Sequence, residues 1–190
     1  MKFLKIQTER LTIQNLVETD LQGFYTYRSN SEVTKYQGFD VMNELECKTF
    51  IKSQLKLPFG KPGQWIQYGI EQKSTQKIIG DCAIQLQKHD PRIAEIGITI
   101  SHLQQKKGFA KEAMLGILAF LFEEKNLHRV VETVDTENTA SINLLESVGF
   151  KQEGHFIENI YFKGKWGSEF QYAMLKREWD RFNAQYKTDE

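Results

Sequence analysis

The 190-residue chain has few cysteines and prolines, and it has no excess of charge of either sign. Two cysteines, Cys47 and Cys82, are too few for a disulfide framework, so we expect reduced thiols and a cytoplasmic protein. The four histidines and two cysteines are scattered without the spacing of zinc ligands. We therefore expect no metal.

Long apolar runs are also missing. No stretch approaches the ~20 apolar residues that a membrane-spanning helix needs, and the N-terminal sequence MKFLKIQTERL is too charged for a secretory signal. Twenty-five basic side chains balance 25 acidic ones, which argues against a nucleic-acid partner or an anionic membrane surface. We expect neither kind of partner.

Three prolines and thirteen glycines are spread widely, and they mark neither a linker nor an internal repeat. Forty per cent of the residues are hydrophobic, enough to form a core. At this length we expect residues 1–190 to form a single domain.

Two hydrophobic periods alternate along the chain. Period-two segments predict strands at 11–16, 65–71, 77–87, 94–100, 129–135, 156–162 and 170–175. Helical spacing predicts helices at about 20–30, 44–57, 110–121 and 139–148. Consecutive strands imply antiparallel pairs, and strand–helix–strand implies a parallel pair. The pattern predicts an α/β (α+β) fold with a mixed, mostly antiparallel sheet of six or seven strands and about four flanking helices.

The segment Gln105–Glu112 lies between a predicted strand and a long predicted helix. The first N–H groups of a helix have no partner within it, and a glycine beside them lets a phosphate approach the backbone. Gly108 and the small Ala110 therefore suggest a phosphate or pyrophosphate site. An ordinary loop with two solvated lysines, Lys106 and Lys107, is the alternative reading.

A second segment runs from Glu137 to Phe150, about thirty residues later. Together the two segments resemble the signature motifs of the GNAT superfamily of acyl-CoA N-acyltransferases. The first motif, [QR]-x-x-G-x-[GA], is met by Gln105, Gly108 and Ala110. The second, N-x-x-S-x-x-x-x-E-x-x-G-F, is met by Asn138, Ser141, Glu146, Gly149 and Phe150.

Three further segments resemble the RimJ/RimL-type branch, the ribosomal-protein N-terminal acetyltransferase relatives. They are Thr8–Leu11, Ile79–Asp81 and Glu95–Ile98. Departures from the branch pattern include Leu145, where many GNAT enzymes carry a tyrosine that protonates the leaving thiolate, and Ser168, where an aspartate is frequent.

The resemblance implies direct transfer of an acetyl group from acetyl-CoA, as cosubstrate, to a primary amine. It also implies a backbone N–H on the strand Ile96–Ile100 as the donor to the oxyanion. The residues expected to bind the cofactor are Ile98, Ile100, Gln105, Lys106, Lys107, Gly108, Phe109, Ala110, Lys111, Asn138 and Ser141.

Three residues are candidates for the chemistry. Glu95 is the first candidate for the base or the water-positioning residue; the alternative is a surface carboxylate that pairs with Arg92 or Arg129. Asn138 can cap the helix that follows it, and Ser141 can donate its hydroxyl to the thiolate or can merely be a second capping hydroxyl. Glu158 is the reserve candidate for the base.

The acceptor is left open by the sequence. A protein N-terminal α-amine is our first expectation, and a polyamine, an aminoglycoside or an amino acid is the alternative, in a monomer or a homodimer. The mixed charge of the first two helices and the last hairpin does not call for a strongly cationic acceptor. A non-catalytic acyl-CoA-binding protein of the same fold is a further alternative.

Overall fold

A computed structural model describes residues 3–55 and 57–189 of the chain. Its centre is an eight-stranded sheet in the order β1-β2-β3-β4-β5-β6-β8-β7. The strands are β1 Lys5–Gln7, β2 Leu11–Asn15, β3 Ile66–Gln72, β4 Lys77–Leu86, β5 Ile93–Ile100, β6 Arg129–Asp135, β7 Lys151–Phe162 and β8 Lys165–Leu175. Every neighbouring pair is antiparallel except β5 with β6. The predicted class and the mixed, mostly antiparallel sheet are confirmed.

Six α-helices accompany the sheet in the described segments. They are α1 Leu21–Arg28, α2 Ser31–Thr34, α3 Glu44–Gln54, α4 Phe109–Ala119, which a π-helical turn at Phe120–Glu124 extends, α5 Thr139–Ser147 and α6 Lys176–Asp189. None of them is long and apolar enough to cross a membrane. The buried residues of α4 recur at the predicted helical spacing and pack into the main hydrophobic core.

Three elements have no counterpart among the predicted ones. The strand β1 and the helix α2 contain three and four residues, too few to show a period. The helix α6 is mostly polar, and Trp179 is its one side chain in the buried core among those described. Phe182, three residues after Trp179, packs against the same core, so α6 has a short apolar stripe that the sequence prediction overlooked.

The parallel pairing of β5 with β6 covers only three residues on each strand, Ile93–Glu95 opposite Arg129–Val131. Beyond that point β5 continues to Ile100 and β6 to Asp135 without pairing to each other. The strands therefore diverge, and the edge of β5 that faces β6 has backbone N–H and C=O groups without a strand partner. We call the space between them the splayed gap.

A buried ion pair joins α1 to β4 beside this gap. Arg28 Nη2 lies 2.6 Å from Asp81 Oδ1, and the two side chains are 1% and 0% exposed. The Tyr27 hydroxyl donates to Asp81 Oδ2 at 2.6 Å, and Gln67 Nε2 donates to Oδ1. Gly80 precedes this aspartate because a Cβ there would lie 2.2 Å from the carbonyl oxygen of Thr99. The Ile79–Asp81 motif thus serves packing and charge pairing.

Asp81→Asn should destabilise the protein strongly, because it leaves the Arg28 guanidinium buried without a counter-charge. Breaking such a pair costs about 3–5 kcal/mol, which urea unfolding measures. The matched control is Asp90→Asn at the exposed Asp90–Arg92 pair, which should unfold close to wild type. Equal unfolding free energies for the two variants would contradict this account of the buried pair.

Candidate active site

The turn before α4 has a left-handed backbone at two residues, with φ 60° at Lys106 and φ 81° at Gly108. Gly108 precedes the first residue of α4, so the unpartnered N–H groups of that helix start at this turn. A Cβ added to Gly108 would meet Arg10 Nη2 at 3.3 Å and no other described atom within 4 Å. A negatively charged group can therefore approach the backbone closely.

The N-terminal motif holds this turn in place. Thr8 Oγ1 donates to Glu112 Oε1 at 2.6 Å, and the backbone N–H of Arg10 donates to the same oxygen at 2.7 Å. Arg10 Nε lies 2.6 Å from Glu112 Oε2, and Nη1 donates to the carbonyl of Lys107 at 3.1 Å. The guanidinium also lies 4.5 Å from the centre of the Phe109 ring. The contacts fix the turn to β2 and α4 from both sides.

A cavity of about 520 Å³, here called the donor groove, runs along this turn to the start of α5. Ten of the eleven residues expected to bind the cofactor line it: Ile98, Ile100, Gln105, Lys106, Gly108, Phe109, Ala110, Lys111, Asn138 and Ser141. The exception is Lys107, whose Nζ donates to Leu103 O and Gln104 Oε1, both at 2.9 Å. Its side chain is used within its own loop.

The start of α5 lies where the donor groove meets a second cavity. Asn138 Oδ1 accepts the backbone N–H of Ser141 at 3.2 Å, so the predicted helix cap is present. Asn138, Ser141 and Ile98 line both cavities, together with Tyr36 and Gln37. An acyl group that reaches this junction from the donor groove would face the second cavity.

The second cavity, here called the acceptor cleft, has a volume of about 660 Å³ and includes the splayed gap. Four carboxylates line it, Glu95, Glu132, Asp135 and Glu169, and its described lining contains no lysine, arginine or histidine. The cleft is therefore more acidic than the mixed charge of the surrounding elements suggested. The difference arises because the acidic side chains come from β5, β6 and β8, the strands at its floor.

Glu95 is half-buried in this cleft. Burial raises the pKa of its carboxyl above the ordinary value, and the negative charge of Glu169 raises it further. Neither of the arginines considered as partners pairs with it, since Arg92 is bound to Asp90 at 2.7 Å and Arg129 to a glutamate of β7. The carboxyl of Glu95 is thus placed in the cleft without either arginine as a counter-charge.

Glu132 was missed in the sequence. It is 6% exposed, and its Oε2 is buried without a hydrogen-bond partner among the described residues. Burial raises the pKa of this carboxyl to about 8, and the charge of Glu95 contributes. The sequence offered one signal for Glu132, because it is a charged residue within the otherwise apolar strand segment Val-Val-Glu-Thr-Val. A charged residue is rarely buried without a partner, and a buried one is a candidate for a functional role.

The other candidate base, Glu158, lies away from both cavities. It is exposed on β7 with φ 45°, and its backbone N–H donates to Ser168 Oγ at 3.0 Å. Leu145 is fully buried in the core, so the position of the usual tyrosine acid serves packing. In the described segments no group of three or more His, Cys, Asp or Glu side chains could hold a metal ion.

A splayed parallel strand pair, a glycine turn at a helix start and an adjoining acidic cleft define a group-transfer site. Residues 10–151 match the acetyltransferase (GNAT) domain family, and the chain belongs to that family. It is therefore an acyl-CoA-dependent acetyltransferase, and the expected enzyme class and acetyl-CoA cosubstrate are confirmed.

An uncharacterised N-acetyltransferase of Bacillus subtilis, YnaD, is 30% identical over 177 residues, covering 93% of this chain and all of the relative. A GNAT-family acetyltransferase structure from Bacillus anthracis superposes with a TM-score of 0.83 at 27% identity, covering 92% of this chain and 100% of that one. Two relatives have named acceptors. The spermidine N(1)-acetyltransferase of Vibrio cholerae is 26% identical (83% of this chain, 88% of the relative), and the ribosomal protein uS5-alanine N-acetyltransferase of Escherichia coli is 23% identical (93% of each).

Gly108→Ala should weaken CoA binding at least about tenfold, or ~1.4 kcal/mol, because a methyl group would occupy the approach to the backbone. The control is Gly164→Ala in the β7–β8 turn, where φ is 82° and no described atom lies within 4 Å of the added Cβ. Gly164→Ala also places an alanine at positive φ, but in a turn that lines neither cavity, so calorimetric CoA titration of the two variants separates a local effect at Gly108 from general destabilisation. Equal CoA affinities would contradict backbone binding at this turn.

Stability should fall as the pH rises from about 5 to about 8, because the folded protein holds a proton on Glu132 that the unfolded chain has lost. Folding raises the pKa of Glu132. Its contribution to the free energy of unfolding is therefore fully present below the ordinary glutamate pKa, and it is lost as the pH rises to about 8. The effect is on the order of a few kcal/mol, at ~1.36 kcal/mol per pKa unit.

Urea unfolding across this pH range measures the slope. Glu132→Gln should reduce it, and Glu124→Gln, which removes an exposed carboxylate, should retain it. A slope unchanged in Glu132→Gln would show that Glu132 is ionised in the folded protein at neutral pH.

Proposed function

We propose that this acetyltransferase, acting as one domain over residues 1–190, transfers the acetyl group to a primary amine that binds as a cation in the acceptor cleft. The observation that supports this most strongly is the junction of the two cavities at Ile98, Asn138 and Ser141. On one side lies the turn that suits a pyrophosphate; on the other lie carboxylates without a basic side chain in the described lining. An ammonium group supplies the missing positive charge.

The reaction that fits this arrangement is direct attack of the amine on the thioester. The unpaired edge of β5 beyond Glu95 offers backbone N–H groups to the oxyanion of the tetrahedral intermediate. Ser141 lies at the junction, where its hydroxyl can donate to the departing thiolate. Glu95 holds the ammonium group, or a water molecule that relays its proton. Reaction through the junction requires no covalent enzyme intermediate.

For the acceptor we propose a peptide α-amine, as in the ribosomal-protein branch. An α-ammonium has a pKa of ~7.7–8.0, against ~10.4 for a lysine or other alkyl ammonium. The difference of roughly 2.5 units makes the α-amine easier to deprotonate by about 3.4 kcal/mol. Among the described residues that line the cleft, the carboxylates are the candidates for a base. A carboxylate is a weak base, so it deprotonates the less basic α-amine more readily than an alkyl amine.

A small polyamine is the second candidate. Four carboxylates line one cleft, and a polyamine would place several positive charges among them. The named acceptor of the Vibrio cholerae relative is spermidine, which supports the same choice. The two free, buried thiols fit the reducing cytoplasm, where we expect the enzyme to act.

The test is acetyl transfer from acetyl-CoA to a panel of peptides with free N-termini, spermidine, an aminoglycoside and free amino acids, with mass spectrometry of the products. We expect N-terminal acetylation of peptides with the highest kcat/KM. Each peptide is paired with its N-terminally blocked form, which should give no product unless a lysine is modified. Faster transfer to spermidine would favour the second candidate, and the absence of transfer to every amine would refute the proposal.

A further inference from the structure

The buried carboxylate Glu132 has no role in the reaction as described so far. It is the first residue of β6 beyond the parallel pairing, and Glu95 is the last paired residue of β5. Both therefore reach the acceptor cleft from the closed end of the splayed gap. Glu132 is 94% buried and lines the cleft, and its Oε2 is buried without a hydrogen-bond partner among the described residues. A buried oxygen of this kind is costly unless a ligand supplies a donor.

We propose that Glu132 is the proton acceptor of the transfer reaction and that Glu95, which lines the same cleft beside it, is its partner. The inference rests on the proposed function, for which it names the residue that deprotonates the amine.

The charges around Glu132 favour this role. The titratable groups that border it are Glu95 from β5, Asp135 from its own strand, and Glu169 and Tyr172 from β8. The Tyr172 hydroxyl donates to Glu146 at 2.9 Å, so it is directed elsewhere, and Arg129 is bound to Glu153. The described cleft lining contains no cation, and the entering ammonium would be the counter-ion that allows the pair to ionise.

The acidity of Glu132 matches that of the proposed acceptor. Burial and the charge of Glu95 raise its pKa to about 8, close to the ~7.7–8.0 of an α-ammonium. A glutamate with an ordinary pKa of ~4.3 would take this proton against an equilibrium of roughly a thousandfold or more. A base whose pKa lies near that of the donor accepts the proton without this cost.

The proton and electron balance is complete without a further reagent. Binding of the ammonium beside Glu132 displaces the carboxyl proton of Glu132 to solvent. The ammonium then gives one proton to the ionised Glu132, and the nitrogen lone pair forms the C–N bond while the carbonyl electron pair moves to oxygen. Collapse of the intermediate breaks the C–S bond, and the sulfur leaves with the electron pair. It gains the second nitrogen proton, relayed by Ser141 or water. Glu132 is left protonated, as it was before the amine bound, and one proton has been released to solvent for each acetyl group transferred.

The test compares Glu132→Gln, Glu95→Gln and the surface control Glu124→Gln with an amine that the wild type acetylates. Glu132→Gln should lower kcat on the order of 10²-fold or more, remove the acidic limb of the kcat/KM profile and leave the KM for acetyl-CoA unchanged. Glu95→Gln should keep the limb but move its midpoint to lower pH, because a negative charge beside Glu132 is lost. Glu124→Gln should match wild type.

A second measurement needs no acceptor. In protein labelled with ¹³C-glutamate, one side-chain carboxyl should titrate near pH 8, and it should be missing in Glu132→Gln. Transfer by Glu132→Gln with the wild-type limb, or no such carboxyl in the wild type, would overturn this inference and leave the proposed function standing. Absence of transfer by the wild type to every amine would instead refute the proposed function and the role of Glu132 with it.

Discussion

The site depends on one constraint in the sheet: the parallel pairing of β5 with β6 ends after three residues on each strand. Each strand keeps its other neighbour, β4 for β5 and β8 for β6, so the sheet stays intact on both sides of the gap. Backbone groups that would normally form a ladder are thereby left for a ligand, without the cost of a loose edge strand. The donor groove and the acceptor cleft meet along this opening.

Two sets of contacts hold the walls of the opening, and both are electrostatic. On the donor side the Glu112 carboxylate accepts hydrogen bonds from Thr8 and Arg10, and these bonds fix the turn that contains Gly108. On the acceptor side the Asp81 carboxylate accepts hydrogen bonds from Arg28 and from Gln67, and Gln67 lines the cleft. Thr8, Arg10 and Asp81, which the sequence presented only as parts of the branch motifs, therefore act by positioning the elements around the gap.

The sequence was most informative where a residue type has one physical use. Gly108 was expected at a helix start because a phosphate needs backbone free of side chains, and Asn138 was expected as a cap; both lie where the pattern indicated. Most strands were predicted because apolar and polar residues alternate along them, as their buried and exposed faces require. The three-residue β1 is too short to show a period. The mostly polar α6 offers only Trp179 and Phe182 at helical spacing, a short apolar stripe that was overlooked.

The acidic cleft could not be predicted in the same way, because it is assembled from strands distant in sequence. Glu95, Glu132 and Glu169 belong to β5, β6 and β8, and only the sheet order brings them together. The hydrophobic period of a segment does not reveal which strands are neighbours in the sheet. The net charge of a whole element also includes side chains that face away from the cleft. Membership of a motif segment also does not place a side chain in the site. Lys107 lies in the first motif segment, but its ammonium group donates a hydrogen bond within its own loop.

The most direct test of the account is a crystal structure with a bisubstrate compound in which CoA is joined through an acetyl bridge to the α-amine of a short peptide. The account predicts the pyrophosphate at the Gly108 turn, the sulfur beside Ser141 and Ile98, and the peptide nitrogen in the cleft between Glu95 and Glu132. A pantetheine arm that bypasses the splayed gap, or a peptide that leaves the acidic cleft empty, would contradict it.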